Sequence, residues 1–61
     1  MAKDRNNNNI KTGDKVIWYD PQPEYRDINR VWQIDGICED MALISDGYSE
    51  SEVLLSELEK I

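Results

Sequence analysis

The chain has 61 residues, of which 39% are hydrophobic and 33% are charged, and its formal net charge is −6. A chain of this length has room for one domain with a thin core, because it buries only about 60% of the surface that its unfolded form exposes. With one cysteine and no histidine in the sequence, an internal disulfide, a Cys-His zinc cluster and a Cys-His dyad within one chain are excluded.

The acidic charge is concentrated in the C-terminal half, where residues 35–59 contain acids and no Lys or Arg. Such a surface repels phosphate, which disfavours nucleic acid as a partner. No apolar run approaches the roughly 18 residues of a membrane span, and no secretory signal opens the chain. We therefore expect a cytoplasmic protein without a membrane partner.

The first predicted strand follows a polar segment. Residues 1–9 are rich in Asn and contain no apolar side chain larger than Ala after Met1, so they predict a disordered tail ahead of a domain at 10–61. Residues 15–19 follow a Gly-Asp turn and are mostly β-branched or aromatic, which predicts a strand. Val16 and Trp18 share one face of this strand.

Residues 20–29 predict a long connecting loop, because Pro21 and Pro23 remove two backbone donors. A second strand is expected at 30–38, with a bulge or bend where Gly36 interrupts the alternation. Cys38, near its end, is expected to be a small buried or half-buried hydrophobe.

A third strand is expected at 41–45, and the Asp46-Gly47 pair after it is the strongest turn signal in the chain, because Gly supplies the positive φ of a hairpin turn. The core of the domain is expected to comprise the inward-facing apolar residues of these strands and of the C-terminal segment: Val16, Trp18, Ile34, Ile44, Val53 and Leu58.

The C-terminal segment has two readings. As a helix, residues 49–61 place Leu54, Leu58 and Ile61 on one face and begin with a capping-box pattern. As strands, residues 52–54 form a fourth strand, a tight helical turn follows, and 59–61 form a short fifth strand. The preceding strands still need a fourth partner, which favours the second reading.

The chain resembles known proteins in a series of short segments: Gly13 to Trp18, Arg30 to Ile34, Ile44 to Glu50, Glu52-Val53 and Ser56 to Leu58. It resembles a family of small gut-bacterial proteins of unassigned activity with an SH3-like barrel, and more broadly it is similar to Tudor-like and KOW-like barrels. The resemblance implies an all-β fold, a small five-stranded SH3-like barrel with one short 3-10 or helical turn before the last strand. SH3-like barrels serve many unrelated functions, so function is not implied.

Five aromatic residues suggest a binding surface. Trp18 and Trp32 are the largest side chains available to fill a core, whereas the tyrosines lie at strand ends or in loops. We expect partner contacts from these tyrosines and the acids around them: Tyr19, Tyr25, Tyr48, Asp20, Glu24, Asp46 and Glu50. Exposed aromatics in an acidic rim favour a basic protein or peptide partner.

The sequence offers no catalytic constellation. Its serines have no histidine to activate them, and with three glycines there is no glycine-rich phosphate loop. We therefore expect no enzymatic activity, cofactor or metal, and a monomer or weak homodimer. The alternative function is a KOW-like nucleic-acid-associated module, which would use the basic residues of the first half: Lys11, Lys15, Arg26 and Arg30.

Overall fold

The computed structural model describes residues 2–61 and consists mostly of β-strands. The strands are β1 (Lys15–Trp18), β2 (Val31–Cys38), β3 (Met41–Ser45), β4 (Glu50–Leu54) and β5 (Leu58–Lys60). Two 3-10 turns interrupt them, one at Pro23–Tyr25 in the long loop and one at Leu55–Glu57 directly before β5. The all-β class and the short turn before the last strand are confirmed, and the continuous C-terminal helix is wrong. No helix within residues 2–61 is long and apolar enough to cross a membrane.

All five strands belong to one antiparallel sheet with the order β4-β3-β2-β1-β5. The two edge strands, β4 and β5, are not paired with each other in the part of the chain that the structure describes. The sheet is therefore open in its backbone pairing. Its inward face carries the core.

The core contains five of the six residues that the pattern predicts, namely Val16, Ile34, Ile44, Val53 and Leu58, and Trp32 is buried with them. Trp18 is only half-buried and packs against this cluster from its margin. The core also includes three residues that lie outside the predicted set: Ile10, Ala42 and Leu55.

A bulge in β2 decides which way the end of that strand faces. Ile34 pairs with Ile44, but the next paired residue is Gly36, opposite Leu43, so Asp35 is the extra residue. Because side chains alternate across a strand, one extra residue exchanges the two faces beyond it. This turns Ile37 toward Ala42 and leaves Cys38 exposed. The predicted bulge is confirmed, and the expectation of a buried or half-buried Cys38 is wrong.

The N-terminal segment is folded against the sheet, in contrast to the predicted disordered tail; Met1 lies outside the described residues. Lys3 and Asn9 form an isolated antiparallel β-bridge, and the backbone N–H of Arg5 donates to the Leu58 carbonyl at 2.8 Å. Asp4 is only 6% exposed. The predicted disorder rests on the absence of apolar side chains, whereas hydrogen bonds hold this segment in place.

Asp4 is the centre of that attachment. Its carboxylate accepts the backbone N–H groups of Asn6 at 2.9 Å, Asn8 at 2.8 Å and Lys60 at 2.7 Å. Burial alone would raise the pKa of Asp4, but these N–H donors outweigh it and hold the pKa below its ordinary value. The side chain thus closes its own loop and fixes that loop to β5.

Candidate interaction surface

The β3–β4 turn is organised by Asp46. Its carboxylate accepts the backbone N–H groups of Tyr48 at 3.0 Å and Ser49 at 2.8 Å, while Gly47 adopts a φ of 93°. This confirms the predicted hairpin turn, since an Asx side chain and a positive-φ glycine are what such a turn requires. The bonds from Ser49 and Tyr48, supported by Arg30, hold the pKa of Asp46 below its usual range.

Arg30 connects this turn to the aromatic residues. Its guanidinium forms a salt bridge with Asp46, whose side chain is 8% exposed, and lies 4.3 Å from the centroid of the Trp32 ring. Cation–π contact adds to the charge pair here. Arg30 therefore joins the β3–β4 turn to the beginning of β2.

Trp18, Tyr25 and Trp32 form what we call the aromatic cluster. The two indole rings meet edge to face, with centroids 5.7 Å apart and planes at 87°, an arrangement that aromatic pairs prefer. The Trp18 indole N–H donates to Glu57 at 3.1 Å, which fixes the orientation of the ring. Tyr25, 69% exposed, lies on the rim at the end of the first 3-10 turn.

A small cavity of about 20 Å³ lies between the three rings of the aromatic cluster, and Asp27 and Arg30 complete its lining. This is room for one water molecule. A ligand would therefore lie on the outer surface of Trp18 and Tyr25, because no side chain fits between the rings.

The three tyrosines of the predicted surface are in three different environments. Tyr19 is half-buried, donates its hydroxyl to Glu59 at 2.8 Å and has the Arg5 guanidinium 3.8 Å from its ring centroid. Tyr48 is 95% exposed at the tip of the β3–β4 turn. Within residues 2–61 the one aromatic ring pair is the tryptophan pair, so no ring contact joins Tyr19, Tyr25 and Tyr48.

The predicted acids also differ in whether their carboxylates are already hydrogen-bonded within the protein. Asp20 accepts the Gln22 backbone N–H at 2.9 Å, and Asp46 is engaged as described. Glu24 and Glu50 are exposed, the first in the Pro23–Tyr25 turn beside the aromatic cluster and the second at the start of β4. Glu24 is thus the predicted acid that is both exposed and next to Tyr25 in the chain.

The sequence predicts both tryptophans as core residues and does not predict Arg30 as part of the interaction surface. A signal was present in the sequence. Arg30 and Trp32 are two positions apart, and side chains two apart along an extended chain lie on the same face.

The basic residues that the nucleic-acid alternative would use mostly form hydrogen bonds or salt bridges with acceptors within the protein. Lys11 pairs with Asp14 at 3.0 Å, Lys15 donates to the Gln33 side chain at 2.7 Å and Arg26 donates to the Asp20 carbonyl at 3.0 Å. Arg30 is engaged with Asp46.

Within the described residues, no group of three or more His, Cys, Asp or Glu side chains is arranged to hold a metal ion. Comparison of the chain with family models, with curated proteins and with solved structures finds no match.

Proposed function

We propose that the protein is a non-catalytic interaction module with an SH3-like barrel fold, which binds an extended basic peptide over the outer surface of Trp18 and Tyr25. The strand order, the bulge in β2 and the 3-10 turn before β5 support the barrel. The resemblance and the single cysteine fit a cytoplasmic bacterial setting.

The observation that carries the proposal is the fixed tryptophan pair with an exposed tyrosine on its rim. Trp18 is held by Glu57 and by Trp32, so its exposed surface is already in place before a ligand arrives. Preorganised aromatic surfaces bind with little loss of side-chain entropy. Tyr25 adds exposed aromatic area beside this pair.

The charges nearby select the partner. The long loop carries Asp20, Glu24 and Asp27 against Arg26 and Arg30, and both arginines already donate to acceptors within the protein. A peptide arginine or lysine over the tyrosine ring gains cation–π and charge contacts together. Proline in such a peptide keeps it extended at low entropic cost.

The test is a chemical-shift titration with a short peptide of arginine and proline. We expect shifts at Trp18 and Tyr25, and Tyr25→Ala should weaken binding about tenfold, in line with the 0.5–2 kcal/mol of a cation–π contact. Tyr48→Ala is the matched control, because it removes a more exposed tyrosine outside the cluster. Equal effects of the two substitutions would reject the surface.

A second titration with single-stranded nucleic acid distinguishes the alternative function. With the four basic residues of that alternative engaged by acceptors of the chain itself, we expect no binding at physiological salt. Binding that falls steeply with salt would favour the nucleic-acid module and contradict the proposal.

A further inference from the structure

The outer edge of β4 has unpaired backbone groups. The N–H of Leu55 donates to the Asp40 carbonyl and the N–H of Asp46 donates to the Ser49 carbonyl, both in register with the β3–β4 ladder. Since bonded and non-bonded pairs alternate in an antiparallel ladder, Ser51 and Val53 are bonded to β3. The backbone N–H groups of Glu50, Glu52 and Leu54 therefore point away from the sheet.

The opposite edge of the sheet, which β5 forms, has hydrogen-bond partners for two of its outward backbone groups. On β5, the Leu58 carbonyl accepts the N–H of Arg5, and the Lys60 N–H donates to the Asp4 carboxylate at 2.7 Å. The N-terminal segment thus covers the edge of β5. No hydrogen bond from elsewhere in residues 2–61 reaches the outward N–H groups of β4. The protein covers one edge of its sheet and leaves the other open.

The side chains along the open edge combine apolar contact with negative charge. Glu50, Glu52 and Leu54 are exposed, on the face opposite buried Val53. Exposed Leu43 is the cross-strand neighbour of Glu52, and half-buried Met41 is the neighbour of Leu54. A strand placed beside β4 would meet two carboxylates and a leucine on this face.

A second copy of the chain is a poor occupant of this edge. Antiparallel pairing of two β4 strands centred on Glu52 places Glu52 opposite Glu52, and in-register parallel pairing also aligns each carboxylate with its twin. Like charges directly opposite each other destabilise a strand pair, and charged edge side chains are a common means of preventing self-association. A cationic strand would instead place positive charge opposite these carboxylates, which stabilises a strand pair.

We propose that the free edge of β4 accepts an extended, cationic segment of a partner protein as an additional strand of the sheet. Main-chain hydrogen bonds to the outward groups of β4 supply affinity, and lysine or arginine opposite Glu50 and Glu52 supplies selectivity. The absence of Lys and Arg from positions 31–59 leaves no basic side chain on β2, β3 or β4 to repel that segment. This site is distinct from the aromatic cluster.

The decisive measurement is amide hydrogen exchange of the whole protein with and without a short peptide of alternating lysine and valine. Strand addition should slow exchange of the Glu52 and Leu54 amides at least about tenfold at saturation, because those N–H groups gain acceptors. The Ser51 and Val53 amides, already bonded to β3, serve as internal references and should slow only as far as binding stabilises the whole domain. Binding that leaves the outward amides unprotected would overturn the proposal.

Charge selectivity is tested with the Glu50→Gln/Glu52→Gln double variant, which should bind the peptide about tenfold more weakly. The matched control is Glu39→Gln/Asp40→Asn, which removes the same charge from the exposed β2–β3 turn. Equal weakening by both variants, or binding of an alternating glutamate and valine peptide with similar affinity, would contradict the proposal. Protection that appears without peptide and rises with protein concentration would instead identify a second copy as the occupant. Each proline of the arginine–proline peptide lacks the backbone N–H that a ladder needs, which makes that peptide a poor added strand, so failure here is distinguishable from failure at the aromatic cluster.

Discussion

Replacing Asp4 with asparagine tests whether hydrogen bonds hold the N-terminal segment on β5. One carboxylate oxygen accepts the N–H groups of Asn6 and Asn8, and the other accepts the N–H of Lys60. An asparagine keeps one oxygen but places an NH₂ group where the second was. The Lys60 N–H would then face a donor.

The expected loss of stability follows from that single exchange. A hydrogen bond to a charged group contributes about 1.5–3 kcal/mol, and the bonds that remain lose their charge assistance. We therefore expect Asp4→Asn to lower the free energy of unfolding by about 2–4 kcal/mol. A domain of this size has roughly 3–9 kcal/mol in total, so the variant should be visibly destabilised. With a urea m-value of about 1 kcal/mol/M, the midpoint should fall by at least about 2 M.

The pH dependence supplies an independent check of the same contact. Because the pKa of Asp4 is lowered in the folded state, its contribution is complete above the unfolded pKa of about 4 and is lost as the pH falls through the folded value. The difference in stability between wild type and Asp4→Asn should therefore be largest near neutral pH and shrink below about pH 4.

Urea unfolding of both proteins across this pH range, with Asp40→Asn as an exposed control, measures both effects. If Asp4→Asn matched that control within about 0.5 kcal/mol at neutral pH, the N-terminal segment would not be held as described. A stability difference that stayed constant down to low pH would show that the Asp4 charge is not involved.

Two further substitutions test the core and the turn. Leu58→Ala should cost about 2–5 kcal/mol in thermal or urea unfolding, the range for a buried leucine, whereas exposed Leu54→Ala should cost much less; similar losses would show that Leu58 is not the buried one. Gly47→Ala should cost about 1 kcal/mol because alanine is strained at a φ of 93°, while Gly36→Ala, which meets no atom within 4 Å and needs no positive φ, is the control without that strain.

The features that the sequence predicts correctly are those with local causes. The Asp46-Gly47 turn depends on an aspartate and a glycine next to each other, and the bulge near Gly36 appears as a break in a strict alternation. The burial of Val16 and Ile34 follows from strand periodicity alone. These signals lie within a few residues of the structure that they specify.

The features that the sequence hides depend on distant partners. The bond between Asp4 and the Lys60 N–H joins residues 56 positions apart, so nothing near Asp4 distinguishes it from a solvated acid. Cys38 is exposed only because the extra residue of the bulge, Asp35, lies three residues before it, and predicting this requires the position of that residue. The aromatic cluster likewise depends on how the long loop returns Tyr25 to Trp18 and Trp32.

Three basic residues form salt bridges with only two acids of the protein, so the charged side chains that remain unpaired are on balance more acidic than the composition suggests. Lys11 and Lys60 both pair with Asp14, and Arg30 pairs with Asp46. Glu50 and Glu52 have no salt bridge within residues 2–61. The remaining field therefore attracts positive charge toward β4 and its neighbours. If both proposed surfaces bind basic segments, association should become slower as salt is added while dissociation changes little, because screening acts on the encounter rather than on the formed contacts.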